Sequence, residues 1–264
     1  MTFPRAAHQV SNLKNVLRAY GDGTVFGEPF GVGPVRVIWL HGWARRGQDF
    51  ATAANELARR GVASVALDLP GFGASPAPSS AGGARHYAEL VLPALVEVGD
   101  GPFVLVGHSF GGTVATVLAA DHPDIVRAVV LTGAPLLRRP SARKSPGTYR
   151  ALRWLHARKF VSDDRMEAAR QKYGSRDYRN ATGVMRDVLV ASVNESYEDE
   201  LARLDVPVTL LWGAEDREVP LDVATRARAL VAPLPTLTTL PGVGHLVPTE
   251  APDALVDVVG ALVE

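Results

Sequence analysis

The chain of 264 residues contains no cysteine. That excludes disulfide bridges, thiolate metal sites and a cysteine nucleophile, and it leaves serine to do any nucleophilic work of that kind. A surplus of one charge is also missing, because 28 Lys and Arg face 28 Asp and Glu. No overall field therefore points toward nucleic acid or a membrane surface. Long hydrophobic runs are absent too: no stretch approaches the roughly 20 apolar residues of a membrane span, and MTFPRAAHQVSNLKNVLRAY holds no apolar core of signal-peptide length. The expectation is a soluble, cytoplasmic protein, a monomer or homodimer, with no nucleic-acid or membrane partner.

What is present is a set of short runs rich in Val, Ile and Leu: 35–40, 62–69, 102–107, 125–132 and 206–213. Continuous apolar runs of this length suit strands buried on both faces. Helical patterns lie between them at 50–60, 86–98, 112–122 and 222–231, and TLTTL at 236–240 with a helix over 251–263 completes the series. The alternation predicts an α/β fold with a mainly parallel sheet covered by helices. Residues 134–204 break the rhythm, with amphipathic helices at 148–160 and 162–174 and no strong strand. The expected division is a core of 1–133 and 205–264 with a helical cap of 134–204. Charge follows it: residues 136–187 carry 11 Arg and 3 Lys against 5 acids, a net +9, so the remainder carries −9.

Residues 104–120 read VLVGHSFGGTVATVLAA, three glycines around one serine at a strand-to-helix junction. Gly107, Ser109 and Gly111 spell G-x-S-x-G, the nucleophile elbow, in which flanking side chains would collide with backbone. A phosphate loop at Gly107–Thr113 would need a lysine that is not there. A serine hydroxyl needs a base, and a base needs an orienting acid. His245, in the glycine-rich PGVGHLVP loop, is the candidate base. Asp216, in WGAEDREVP after a strand, is the candidate acid, with Glu215 and Glu218 able to replace it in principle. His41 belongs to another loop, where it braces the turn or reaches substrate. The amide of Phe110 is one candidate oxyanion donor and that of Trp43 in WLHGWARRG the second. The Trp43 side chain lines the acyl pocket or packs as a core or lid contact.

HGW (41–43), DLPGFGAS (68–75), GHSFGG (107–112), WGAEDREVP and GVGHLVP occur in the order seen in the α/β-hydrolase superfamily, which this chain resembles from about residue 33 onward. The resemblance implies a triad of Ser109, Asp216 and His245, an oxyanion hole of the Trp43 and Phe110 amides, no cofactor, and a helical cap after the sixth strand. Residues 1–32 match the usual opening strands weakly. Ser109 stands where haloalkane dehalogenases and epoxide hydrolases of the superfamily carry Asp, which favours acyl transfer to water. The expected activity is hydrolysis of a small carboxylic ester; a thioesterase, a lactonase, a carbon–carbon bond hydrolase of diketone-like substrates and a non-catalytic receptor are the alternatives. The HGW turn and basic cap are similar to carboxylesterases that cleave methyl esters of carrier-bound acyl chains. From the charge asymmetry, Arg138, Arg139, Arg143 and Lys144, with other cap residues, either attract an anionic substrate or an acidic carrier protein bearing the acyl group, or form an ordinary solvated surface.

Overall fold

Eight strands form one sheet in the order β1-β2-β4-β3-β5-β6-β7-β8 in the computed structural model, which describes residues 16–138, 147–173 and 175–264. The strands are β1 (Arg18–Tyr20), β2 (Val25–Phe30), β3 (Val35–Leu40), β4 (Ala63–Asp68), β5 (Phe103–His108), β6 (Val126–Thr132), β7 (Val208–Gly213) and β8 (Thr236–Leu240). From β4 to β8 every neighbouring pair is parallel, whereas β1 with β2 and β2 with β4 are antiparallel. This is the mainly parallel α/β sheet that the alternating apolar runs predict, in the α/β-hydrolase arrangement that the resemblance implies.

Around the sheet lie α1 (Ala51–Arg59), α2 (Ala84–Val98), α3 (Phe110–Asp121), α9 (Leu221–Arg228), α10 (Val247–Glu250) and α11 (Pro252–Val263). Five helices fill the interval between β6 and β7: α4 (Gly147–Ala157), α5 (Asp163–Tyr173), α6 (Arg176–Asn180), α7 (Val184–Ser192) and α8 (Glu198–Arg203). The two opening strands, which the sequence matched weakly, are present in the described part. Gly27 and Pro29 obscure the signal of β2, since both are poor strand formers. Gly27 has a packing reason: a Cβ there would lie 2.8 Å from Leu67 Cδ2 and 2.9 Å from Val65 Cγ1.

The strand period of two divides the core. Val104 and Val106 of β5 join Trp39, Phe50, Val130 and Val259 on one face, while Phe103 and Leu105 join Ile38, Tyr87, Val114 and Leu131 on the other. Each such fully buried aliphatic or aromatic side chain contributes about 1.5–3 kcal/mol. Burial on both faces is what holds the C-terminal ends of β5, β6 and β7 in fixed register, and the candidate site is built on those ends.

Candidate active site

Ser109 connects β5 to α3 with φ 50° and ψ −118°, a conformation that a non-glycine residue adopts at a cost of about 1–3 kcal/mol. The neighbouring glycines allow it. A Cβ on Gly107 would stand 2.5 Å from Gly112 Cα, one on Gly112 2.6 Å from Ala134 Cβ, and one on Gly111 would collide with the Leu40 carbonyl. Backbone strain is thus stored where the serine projects over the sheet edge, and the Ser109 amide is tied to the Thr132 carbonyl at 2.8 Å.

Asp216 and His245 meet. The His245 Nδ1–H donates to Asp216 Oδ2 at 2.8 Å, and Asp216 Oδ1 accepts from the amides of Glu218 at 2.9 Å and Val219 at 2.8 Å. With its side chain only 1% exposed, the carboxylate has every short bond supplied by its own loop and the imidazole. Nε2 is the ring nitrogen left without a bond to Asp216, and His245 lines the cavity. Of the two other acids in the loop, Glu218 sits with Oε2 3.5 Å from Nε2 on a largely exposed side chain, and Glu215 is exposed. The inner position belongs to Asp216.

Ser109 and His245 line one cavity of about 610 Å³. Its walls combine Trp43, Phe110 and Val219 with Leu189, Val193 and Tyr197 from the inserted helices. Trp43 lines the cavity, and its ring packs edge-on against Phe72 at 5.0 Å and Phe110 at 5.9 Å. Gly42 sits so close to the elbow that a Cβ on it would be 3.1 Å from Ser109 Cβ. The Trp43 turn and the first residue of α3 accordingly flank the serine. Arg138 also lines the cavity, with its backbone N–H bonded to Ser196 Oγ at 3.1 Å. Arg139, Arg143 and Lys144 lie outside the described residues.

His41 braces its loop. Its Nε2 accepts from the Leu69 amide at 2.9 Å and its Nδ1–H donates to the Gly42 carbonyl at 2.7 Å, both fully buried, and it is not among the cavity-lining residues. Burial lowers its pKa to about 4. Burial, followed by the proximity of His245, lowers that of His108 to about 3; the two rings stand 4.8 Å apart. A neutral His108 places no positive charge beside the neighbouring imidazole.

Several supporting residues escape a reading of the sequence. Gly133, at φ +54° after β6, is one: a Cβ there would lie 2.9 Å from both Cε1 and Nδ1 of His245 and 3.2 Å from Asp216 Oδ2. Glu250 is another, accepting from the amides of Gly244 at 2.6 Å and Leu246 at 3.1 Å, on either side of the histidine. Trp212 Nε1–H holds the acid loop through the Val219 carbonyl at 2.8 Å. Gly133 directly after an apolar strand is a local signal of a special turn, and the other two act within seven residues of themselves through side-chain types that carry no such signal. Among the described residues no group of three or more His, Asp or Glu is placed to hold a metal ion, and no helix is long and apolar enough to cross a membrane.

Residues 37–258 match the model of the alpha/beta hydrolase family. The chain belongs to that family. This α/β hydrolase is 37% identical over 138 residues to "Pimeloyl-[acyl-carrier protein] methyl ester esterase" of Chromobacterium violaceum, a match covering 52% of the chain and 48% of the relative. It is 44% identical over 100 residues to "Lipase LipV" of Mycobacterium tuberculosis, covering 38% of the chain and 37% of that protein. The α/β hydrolase thus spans less than half the length of either relative. Among solved structures, the esterase RhEst1 from Rhodococcus sp. superposes with a TM-score of 0.68 at 25% identity, covering 94% of this chain and 98% of that one.

Proposed function

We propose that this α/β hydrolase is a serine esterase that cleaves a small carboxylic ester through an acyl-enzyme, with Ser109 as nucleophile, His245 as base and Asp216 as its orienting partner. The observation that carries the reading is the 2.8 Å bond between His245 Nδ1 and a buried carboxylate, in a ring that shares its cavity with a strained serine. In the first half-reaction Nε2 takes the Oγ proton as Oγ attacks the ester carbonyl. The resulting oxyanion is received by the amides of Trp43 and Phe110, each such donor being worth about 2.7–4 kcal/mol in the transition state. Collapse breaks the carbon–oxygen bond, and Nε2 returns the proton to the departing alcohol. In the second half, water gives a proton to Nε2 and attacks the acyl carbon, and the carboxylic acid leaves as Ser109 is reprotonated.

The reaction so written calls for no cofactor, and a chain without cysteine suits a reducing compartment such as the cytoplasm. Residues 134–204 act as the cap, since Leu189, Val193 and Tyr197 from this stretch face Ser109 across the cavity. An apolar acyl group fits that wall. The basic cap supports a second reading, in which the acyl group is anionic or delivered by an acidic carrier protein. Arg150 and Arg153 lie exposed on α4, and the name of the Chromobacterium relative places an ester on such a carrier.

Turnover of p-nitrophenyl acetate and butyrate by the wild type and by Ser109→Ala tests the first reading. Activity confined to the wild type supports it; equal rates contradict it. Comparing kcat/KM for neutral and anionic esters over a range of ionic strength tests the second. Salt-insensitive rates with no preference for the anion remove it.

A further inference from the structure

One of the anchors that tie the cavity wall of the inserted segment to the sheet domain is a carboxylate that itself lines the cavity. Glu195 follows α7 and lines the cavity; its Oε2 accepts from the backbone N–H of Ala84 at 2.8 Å and from the Tyr197 hydroxyl at 2.8 Å. Ala84 is the first residue of α2, a helix of 15 residues, so the carboxylate sits on the positive end of the helix dipole and satisfies an amide that no helical carbonyl can reach. The N-cap, Gly83, has no side chain with which to do this. A Cβ on Gly83 would collide with the Glu195 carboxylate, so the helix leaves its own cap position empty and takes the cap from 111 residues further along the chain.

Tyr197 extends the anchor in two directions. Its backbone N–H donates to the Leu136 carbonyl at 3.1 Å, joining the end of the inserted segment to its beginning, and its buried ring lines the cavity. Arg85, next to Ala84, adds bonds to Glu200 at 2.6 Å and to the Ser196 carbonyl at 2.9 Å. The stretch that carries Ser192, Val193 and Tyr197 into the cavity is therefore tied to the start of α2 as well as to Leu136.

We infer that Glu195 is a positioning residue that fixes where the cap wall stands over the acyl site, and so selects the acyl chain the enzyme accepts. This rests on the reading of Ser109 as the nucleophile. The test compares Glu195→Gln, Glu195→Ala and Gly83→Ala with the wild type. For each, kcat and KM are measured on p-nitrophenyl esters from acetate to decanoate, with fluorophosphonate labelling of Ser109 and amide hydrogen exchange over residues 188–197. Glu195→Gln keeps an acceptor and should keep the wild-type length preference. Gly83→Ala, outside the cavity, should leave labelling and acetate turnover within about threefold, yet, like Glu195→Ala, change KM for the longer chains by about tenfold and move the preferred length, the scale on which pocket shape discriminates. Faster exchange over 188–197 should accompany this, and it reads the anchor without any turnover. An unchanged length profile and unchanged exchange in folded Glu195→Ala, or an equal fall in kcat for every ester, would overturn the inference. A wild type that neither labels nor hydrolyses any ester instead sinks the assignment of Ser109, and the exchange result alone then decides whether Glu195 holds the wall.

Discussion

Strands β4 and β5 are buried at every residue, whereas α4 of the inserted segment has no buried residue. The only exposed Phe and Trp side chains among the described residues, Trp154 and Phe160, also belong to the inserted segment. In the sheet domain, side chains that would do chemistry are fixed by close approach of backbone: Gly107, Gly111 and Gly112 beneath the serine, and Gly133 beside the histidine. In the inserted segment, a few polar anchors such as Glu195 and the Arg85–Glu200 pair hold helices that otherwise face water. The contrast teaches that one part is built for fixed geometry and the other for an adjustable wall. Substitutions in the first should alter rate or stability, and those in the second should alter selectivity.

The largest effects sharpen that contrast from the core side. Ser109→Ala should lower kcat by about 10⁶-fold, and Asp216→Asn, which removes the acceptor of the Nδ1–H, by about 10⁴-fold. Stopped assays with active-site titration would show either. Gly133→Ala comes next: with φ +54° and a Cβ 2.9 Å from the His245 ring, it should cost about 100-fold in kcat while far-ultraviolet circular dichroism stays native. Wild-type rates in Gly133→Ala would mean that the ring has room the structure denies it.

Stability against pH separates the two regions further. Burial holds His41 at about 4 and His108 at about 3, both in the sheet domain, whereas histidines of the unfolded chain titrate near 6.5. Between those values the unfolded state binds more protons, so stability is complete above about pH 6.5 and falls as pH drops, by up to about 1.4 kcal/mol per pH unit for each ring. Urea midpoints at about pH 7.5 and 5.5 would show the loss. His108→Asn should flatten the slope, and an identical slope in that variant would contradict the assignment. The smallest effect belongs to the cap surface: Trp154→Ala, which removes a ring stacked under the Arg158 guanidinium at 3.7 Å, should shift stability by no more than about 0.5 kcal/mol. A larger loss would show that α4 is better packed than its exposure indicates.

The legible parts of the molecule are those coded locally. Residues 35–40 form a strand over the very span their pattern predicts, because a buried parallel strand is a continuous apolar run, and 236–240 does so as a largely exposed edge strand rich in β-branched threonine. The elbow is readable because the bend needs glycines within three residues of the serine. Asp216 and His245 are readable as loop residues after apolar strands, in an order the resemblance supplies. Glu250 and Trp212 are not, although their bonds span only four to seven residues, since sequence alone reads the one as a surface acid and the other as core. Strand β2 hides behind Gly27 and Pro29, and helices α7 and α8 are short segments whose apolar residues meet the sheet domain only after folding. Glu195 is the clearest case: its partner amide is 111 residues away, and nothing near it in sequence marks it as a cap.

The central claim is that His245, held by Asp216, makes the Ser109 oxygen nucleophilic. Mass spectrometry of peptides after brief exposure to a fluorophosphonate tests it most directly. The account predicts a single adduct on the peptide containing Ser109, formed far more slowly in His245→Ala and Asp216→Asn. An adduct on another residue, or labelling of Ser109 at an unchanged rate in both variants, would contradict it.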